Sequence, residues 1–226
     1  MKDNILIIGG FGDIGSSISK KFSETYQVTS TSRDELDLSS KKSISNFLKV
    51  NKKKFKHIIF CAAENYPNYF KEMKYEEIYN SIQVNLLSIT EILHFYYTNN
   101  MISNHGTITI ISSIYSYLGK IKRFPYSVSK HALNGLVKNL AIEMSHENIR
   151  VNSVTPGFID TKLTRRNLSD EEILEIKKTI PCGDLGAVDD IANVVTFISS
   201  DYAKYINGQD IIVDGGFLCG GFLGLE

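Results

Sequence analysis

The sequence predicts an α/β protein, a doubly wound and mostly parallel sheet of about six to seven strands with helices on both faces, and three observations carry that expectation. Continuous apolar runs such as Ile5-Leu6-Ile7-Ile8 and Ile58-Ile59-Phe60 mark strands buried on both faces. Segments with apolar residues every three or four positions alternate with them, as helices packed on a sheet require. The first run passes directly into Gly9-Gly10-Phe11-Gly12-Asp13-Ile14-Gly15, so that a strand, a glycine-rich turn and a helix start follow one another.

One α/β domain commonly reaches 226 residues, and no linker, repeat or low-complexity stretch divides the chain, so residues 1–226 are expected to form a single domain. Lys plus Arg and Asp plus Glu balance at 25 each, which leaves no global field to favour nucleic acid or an anionic membrane. Cys61, Cys182 and Cys219 are too far apart for a disulfide framework or a zinc site and point to a reducing cytoplasm; no metal is expected. The apolar run before Gly10 is too short for a signal-peptide core, and nothing approaches the roughly 20 apolar residues of a membrane span.

Taken in order, the chain justifies each element. Ile14, Ile18 and Phe22 recur every four residues as the stripe of the first helix. In that context Gly10-x-Gly12-x-x-Gly15 is a phosphate cradle: glycines let the backbone approach a pyrophosphate, and the helix N-terminus aims N–H groups at the anion. A carboxylate facing that anion would repel it, so Asp13 is expected to cap the helix while turned away. Residues 26–31 form the second strand. Ser32 then stands where an acid would bind a ribose 2′-hydroxyl, and Arg33 beside it suits a 2′-phosphate, which favours NADP(H), while Asp34 and Glu35 keep NAD(H) open.

A helix over 41–55 buries Ile44, Phe47 and Leu48, with Lys52-Lys53-Lys54 as its solvated end. Residues 58–63 make a strand ending in small residues where a flat ring can lie close to backbone. A long helix over 76–97 has Asn85 near its middle, a weak helix former that caps a kink, holds a water or lies exposed. The strand 107–111 delivers Ser112 and Ser113 at its C-terminal end, the edge where open α/β sheets bind ligands. A helix begins near Tyr126 and runs to Met144; a strand over 150–154 is stopped by Thr155-Pro156-Gly157. Residues 158–183, polar and partly helical, read as a flap over a pocket. A helix over 189–199 and a strand over 209–213 complete the domain.

Chemistry is expected at Ser113, Tyr126 and Lys130. The four-residue spacing of Tyr126 and Lys130 puts both side chains on one helix face, where an ammonium favours the phenolate and lets the pair exchange a proton with a substrate oxygen. Ser113 can hold that oxygen by a hydrogen bond. With 12 tyrosines in a lysine-rich chain, one such spacing arises by chance, so the site rests on the remaining landmarks.

Those landmarks together resemble the short-chain dehydrogenase/reductase family in its compact single-domain branch, a Rossmann-type fold. Beyond the glycine loop and the Tyr126/Lys130 pair they include Ile111-Ser112-Ser113, Val84-Asn85-Leu86, Arg150-Val151-Asn152-Ser153-Val154-Thr155-Pro156-Gly157 running to Thr161, and Asn207-Gly208-Gln209 leading to Asp214-Gly215-Gly216. The resemblance implies Tyr126 as general acid in reduction and base in oxidation, Lys130 lowering its pKa and bonding the nicotinamide ribose, and Ser113 orienting the carbonyl oxygen. It implies that Asn85 holds a water in a proton relay to Lys130. It places the cofactor against Gly9, Gly12, Asp13, Ile14 and Gly15, then Ser32, Arg33, Asp37 and Leu38, then Cys61, Ala62 and Ala63, with Pro156, Gly157, Ile159 and Thr161 toward the nicotinamide amide. It also implies a homodimer or homotetramer formed through the two central helices, where Gly135 would permit close approach.

Three features depart from the family pattern. Cys61-Ala62-Ala63-Glu64 stands where Asn-Asn-Ala-Gly is usual. The Gly9/Gly12/Gly15 spacing is that of the longer, sugar-modifying branch. Only three residues separate Arg33 from Asp37, too few for the usual helix and strand, so the outermost strand and its helix are expected to be missing. The leading expectation is an oxidoreductase interconverting a small-molecule carbonyl and a secondary alcohol, favouring NADPH. The alternatives are a catalytically silent dinucleotide sensor or scaffold and a sugar-nucleotide epimerase or dehydratase. Tyr115, Tyr117, Lys120, Lys122 and Arg123, between Ser113 and Tyr126, suit a polar or anionic substrate such as a sugar or acyl thioester, or form a merely exposed basic loop.

Overall fold

A computed structural model describes residues 2–220; Met1 and residues 221–226, the ends of the expected domain, lie outside the described residues. Six strands form one sheet in the order β2-β1-β3-β4-β5-β6, and every ladder is parallel. They are β1 (Asn4–Ile8), β2 (Gln27–Thr31), β3 (Phe55–Phe60), β4 (Ile102–Ile111), β5 (Arg150–Pro156) and β6 (Asp210–Val213). The connecting helices are α1 (Asp13–Ser23), α2 (Lys41–Val50), α3 (Tyr75–Ile82), α4 (Ser88–Thr98), α5 (Phe124–Glu143), α6 (Lys162–Asn167), α7 (Asp170–Lys178) and α8 (Val188–Ser199).

The period of two along each strand divides the core into two layers. Leu6, Ile8, Ile58, Phe60, Ile108 and Ile110 face Ile44 and Phe47 of α2, Ile92 and Leu93 of α4, and Leu133 and Val137 of α5. Their neighbours Ile5, Ile7, Ile59 and Ile111 face Ile18 and Phe22 of α1 and Ile191 and Val195 of α8. Because β1 pairs with β2 on one side and β3 on the other, the strand order reverses beside it, which opens a crevice at the C-terminal ends of β1 and β3.

The expected loss of the outer strand is seen directly. Residues 32–40 hold only turns, closed by Leu36 N to Ser32 O at 3.0 Å and Ser40 N to Asp37 O at 3.1 Å. Leu36 and Leu38 turn inward to the α2 layer, and β2 is the sheet edge.

Several expected boundaries move: the strand expected over 58–63 runs Phe55–Phe60, the strand expected over 107–111 begins already at Ile102, and three further changes have a local reason. The helix expected over 41–55 stops at Val50, because Asn51 caps it: its side-chain amide donates to Phe47 O at 3.0 Å. Lys52-Lys53-Lys54 is an exposed link, and Phe55 is drawn into the sheet by its bond to Met101 O at 2.9 Å. The helix expected over 76–97 is α3 and α4 joined by a π-helical turn, Gln83–Leu87, centred on Asn85. The strand expected to end at Val154 continues, since Thr155 and Pro156 pair with Ile212 and Val213.

Candidate active site

A cavity of about 760 Å³ opens at the C-terminal edge of the sheet and runs from the turns after β2 to the start of α5. Every cofactor-contact residue expected from the sequence lines it: Gly9, Gly12, Asp13, Ile14, Gly15, Ser32, Arg33, Asp37, Leu38, Cys61, Ala62, Ala63, Tyr126, Lys130, Pro156, Gly157, Ile159 and Thr161. Ser113 lines it too; Asn85 does not, and lies fully buried beneath.

The glycine loop explains its own composition. Gly9 holds φ +79°, and a Cβ there would meet Ala62 N at 2.6 Å, so the β1 and β3 ends approach as closely as backbone permits. A Cβ on Gly15 would run into Gly9 O and the Gly10 backbone, which is how α1 seats against the loop. At Gly12 a Cβ would meet only Gly9 O at 3.5 Å, leaving the position open toward the cavity at the N-terminus of α1. That open cradle fits a pyrophosphate.

Gly12, not Asp13, precedes α1 as its cap, and Asp13 is the first helical residue. Its carboxylate accepts a hydrogen bond from Lys162 N at 2.7 Å and lies 3.9 Å from the Lys162 ammonium, so it ties the glycine loop to α6. Ile159 bridges to Gly186 and Thr161 caps α6 through Thr164 N at 3.1 Å, so both residues are anchored where the chain leaves β5 for α6. At the outer end of the cavity Asp37 accepts from Ser39 Oγ at 2.7 Å and Ser39 N at 3.0 Å; the Ser39 hydrogen bond is the largest influence holding its carboxyl below the usual range.

At the inner end Ser113 follows β4, while Tyr126 and Lys130 share the first turns of α5, whose start is set by Pro125. Lys130 is 2% exposed; its ammonium donates to Ile111 O at 2.9 Å and lies 5.5 Å from the centre of the Tyr126 ring. Burial pulls the Lys130 pKa down to about 8. Tyr126 departs from expectation: burial raises its pKa, opposed by a hydrogen bond with Ser113 and by Arg123, so in this structure the phenol stays protonated through neutral pH. Burial also drives the neighbouring Cys61 thiol up to about 12, which keeps it uncharged beside Lys130.

Asn85 is committed to structure on all sides. Its amide donates to Glu64 O at 2.8 Å, Ser81 Oγ at 3.2 Å and Ser129 Oγ at 3.0 Å, and its oxygen accepts from Glu64 N at 2.7 Å. Ser129 in turn donates to Tyr126 O at 2.7 Å. The Asn85 side chain fixes the loop after β3 to the helix that carries Tyr126. Among the charged lining residues, sequence reading missed Glu64, Lys162 and Arg166. Glu64 was visible as a departure from the family pattern; Lys162 and Arg166 carried no signal beyond their place in the flap.

Fold and site together define an α/β protein of Rossmann type with its cavity at the C-terminal edge of the sheet. The sequence matches the model of a family described as enoyl-(acyl carrier protein) reductase over residues 12–218. It is 37% identical over 189 residues to a 3-oxoacyl-[acyl-carrier-protein] reductase of Buchnera aphidicola, covering 80% of this chain and 75% of that protein. It is 38% identical over 149 residues to the corresponding reductase of Escherichia coli K12, covering 66% of this chain and 61% of that protein, so it spans about three fifths of that relative. Among solved structures, a 4-hydroxyisoleucine dehydrogenase mutant complexed with NADH and succinate superposes with a TM-score of 0.87 at 27% identity, over 96% of this chain and 99% of that one. A short chain dehydrogenase family protein from Francisella tularensis shares the fold with a TM-score of 0.88 at 24% identity, over 97% and 100%. The chain belongs to the short-chain dehydrogenase/reductase family of oxidoreductases.

Among the described residues, no group of three or more His, Cys, Asp and Glu is placed to hold a metal, and no helix is long and apolar enough to cross a membrane.

Proposed function

We propose that the protein binds a nicotinamide dinucleotide, NADPH in preference to NADH, and interconverts a carbonyl and a secondary alcohol. The observation that carries this reading is the convergence of Ser113, Tyr126 and Lys130 at the inner end of the cavity whose other end is the open Gly12 cradle. A sensor or scaffold has no chemical need for that inner set, and Tyr126 and Lys130 are held there at the expense of burying a lysine.

Gly9, Gly12, Ile14 and Gly15 would hold the pyrophosphate, Ser32, Arg33, Asp37 and Leu38 the adenosine half, and Cys61, Ala62 and Ala63 the backbone wall beside it. Pro156, Gly157, Ile159 and Thr161 would line the nicotinamide end. Bound there, the nicotinamide supplies or accepts the hydride. Tyr126 donates its phenolic proton to the substrate oxygen during reduction, and its raised pKa keeps that proton available. Ser113 donates a hydrogen bond to the same oxygen, and Lys130 supplies positive charge beneath the tyrosine and a donor to the ribose. Asn85 positions Ser129, and through it the backbone of Tyr126.

The substrate class we favour is a 3-oxoacyl thioester, supported by the relatives named above and by exposed Lys120 and Lys122 on the loop before α5. The cysteines are free, in keeping with the reducing cytoplasm proposed for the protein.

The test is NADPH oxidation with acetoacetyl-coenzyme A and a panel of ketones and keto sugars. Tyr126→Phe is expected to lower kcat by about a hundredfold or more, the scale of a lost general acid, while NADPH still binds. Turnover that survives this change contradicts the mechanism.

A further inference from the structure

At the outer end of the cavity, both groups that would read a 2′-phosphate already have a carboxylate partner. Ser32 donates to Glu35 Oε2 through its backbone N–H at 2.8 Å and its hydroxyl at 3.1 Å. Arg33 Nη1 lies 3.4 Å from Glu64 Oε2, reaching from the end of β2 to the segment after β3. The two sides of that pair differ in freedom. The Arg33 side chain is 68% exposed and can pivot, whereas Glu64 is 26% exposed and Asn85 grips its backbone at both N and O.

We propose that Glu64 is a cofactor-specificity residue whose carboxylate competes with a 2′-phosphate for Arg33 and so trims the preference for NADPH over NADH. The inference rests on the reading of Arg33 as the phosphate reader and assigns a role to the residue that replaces the family's usual glycine. A phosphate monoester carries about −1.5 to −2 charge at neutral pH and offers a guanidinium two oxygens at once. A half-exposed ion pair at 3.4 Å is weak and gives way to it, so NADPH binds. The cost is specific to NADPH: Arg33 must leave Glu64, and the carboxylate stays close to the phosphate because Asn85 prevents its segment from withdrawing. NADH brings only a 2′-hydroxyl and leaves the pair intact.

The test is a set of NADPH and NADH dissociation constants for the full chain and for Glu64→Gln, Arg33→Ala and the double variant. Glu64→Gln is expected to tighten NADPH about three- to tenfold and to leave NADH within about twofold, with the gain falling to within about twofold when Arg33 is absent. Glu64→Ala is a second variant that removes the charge by another route, and unliganded melting temperatures identify any variant that has lost the fold. Arg33→Ala that weakens NADPH, together with neutral variants of Glu64 that change nothing or tighten both cofactors equally, overturns this inference alone. An unchanged NADPH to NADH ratio in Arg33→Ala overturns the reading of Arg33 on which it depends.

Discussion

Lys130 is the residue whose chemistry and stability pull in opposite directions. Its ammonium has one backbone partner, Ile111 O, and little water, and its pKa falls from the ordinary 10.5 to about 8. Below pH 8 the lysine is charged in both folded and unfolded states, and the folded state carries the full burial penalty of about 3 kcal/mol. Between pH 8 and 10.5 the folded protein has released a proton that the unfolded chain still holds, so this penalty is relieved as pH rises. Lys130→Met is therefore expected to stabilise the protein near neutral pH by about 1–2 kcal/mol, after the lost bond to Ile111, or about 3–6 °C in melting temperature. The gain should shrink as pH approaches 10, and activity should fall. Thermal melts across that range check it; a loss of stability at pH 7 contradicts it. The pairing of Tyr126 with Lys130 was legible from spacing, but its electrostatics was not, because burial depends on how Ile111 and the cavity wall enclose both groups. Nor was the Asp13 contact to Lys162 legible: its partners lie 149 positions apart, and only the closed fold brings them together.

Among the elements, the β1–α1 turn makes the sharpest distinction between architecture and binding. Gly15 is packed against the Gly9 and Gly10 backbone, while Gly12 faces open space. Gly15→Ala is expected to destabilise the fold by about 2 kcal/mol or more, as overpacking does. Gly12→Val should fold normally and lose dinucleotide affinity at least tenfold, the scale expected when a side chain fills the space a pyrophosphate needs. Urea unfolding and cofactor titration of both variants check the pair; equal behaviour would contradict the assignment. Strands and helix stripes were legible because burial on two faces leaves continuous apolar runs. The π-turn was not, since it arises from Asn85 being drawn inward to Glu64 and Ser129, partners remote in sequence.

For the whole molecule, the six-stranded sheet follows from an argument about length: residues 32–40 are too few for another parallel crossover, so the sheet ends at β2. The same view leaves an outer surface on α4 and α5. Leu87 just before α4, together with Val128 and Ile142 of α5, is between 45% and 75% exposed, and a Cβ added to Gly135 would meet nothing within 4 Å. We propose that this surface joins copies of the chain into a dimer or tetramer. Light scattering on the purified protein should give at least a dimer mass, and Gly135→Arg should shift it toward monomer; a monomeric parent protein contradicts the proposal. Quaternary structure was not legible beyond family likeness, because an interface between copies shares its apolar character with ordinary exposed patches.

The most direct test of the central claim, that this cavity is a working dinucleotide site, is a calorimetric NADPH titration of the parent protein, Tyr126→Phe and Gly12→Val. The predicted result is one saturable site per chain in the parent and in Tyr126→Phe, with binding lost in Gly12→Val. No binding by the parent, or undiminished binding by Gly12→Val, would contradict it.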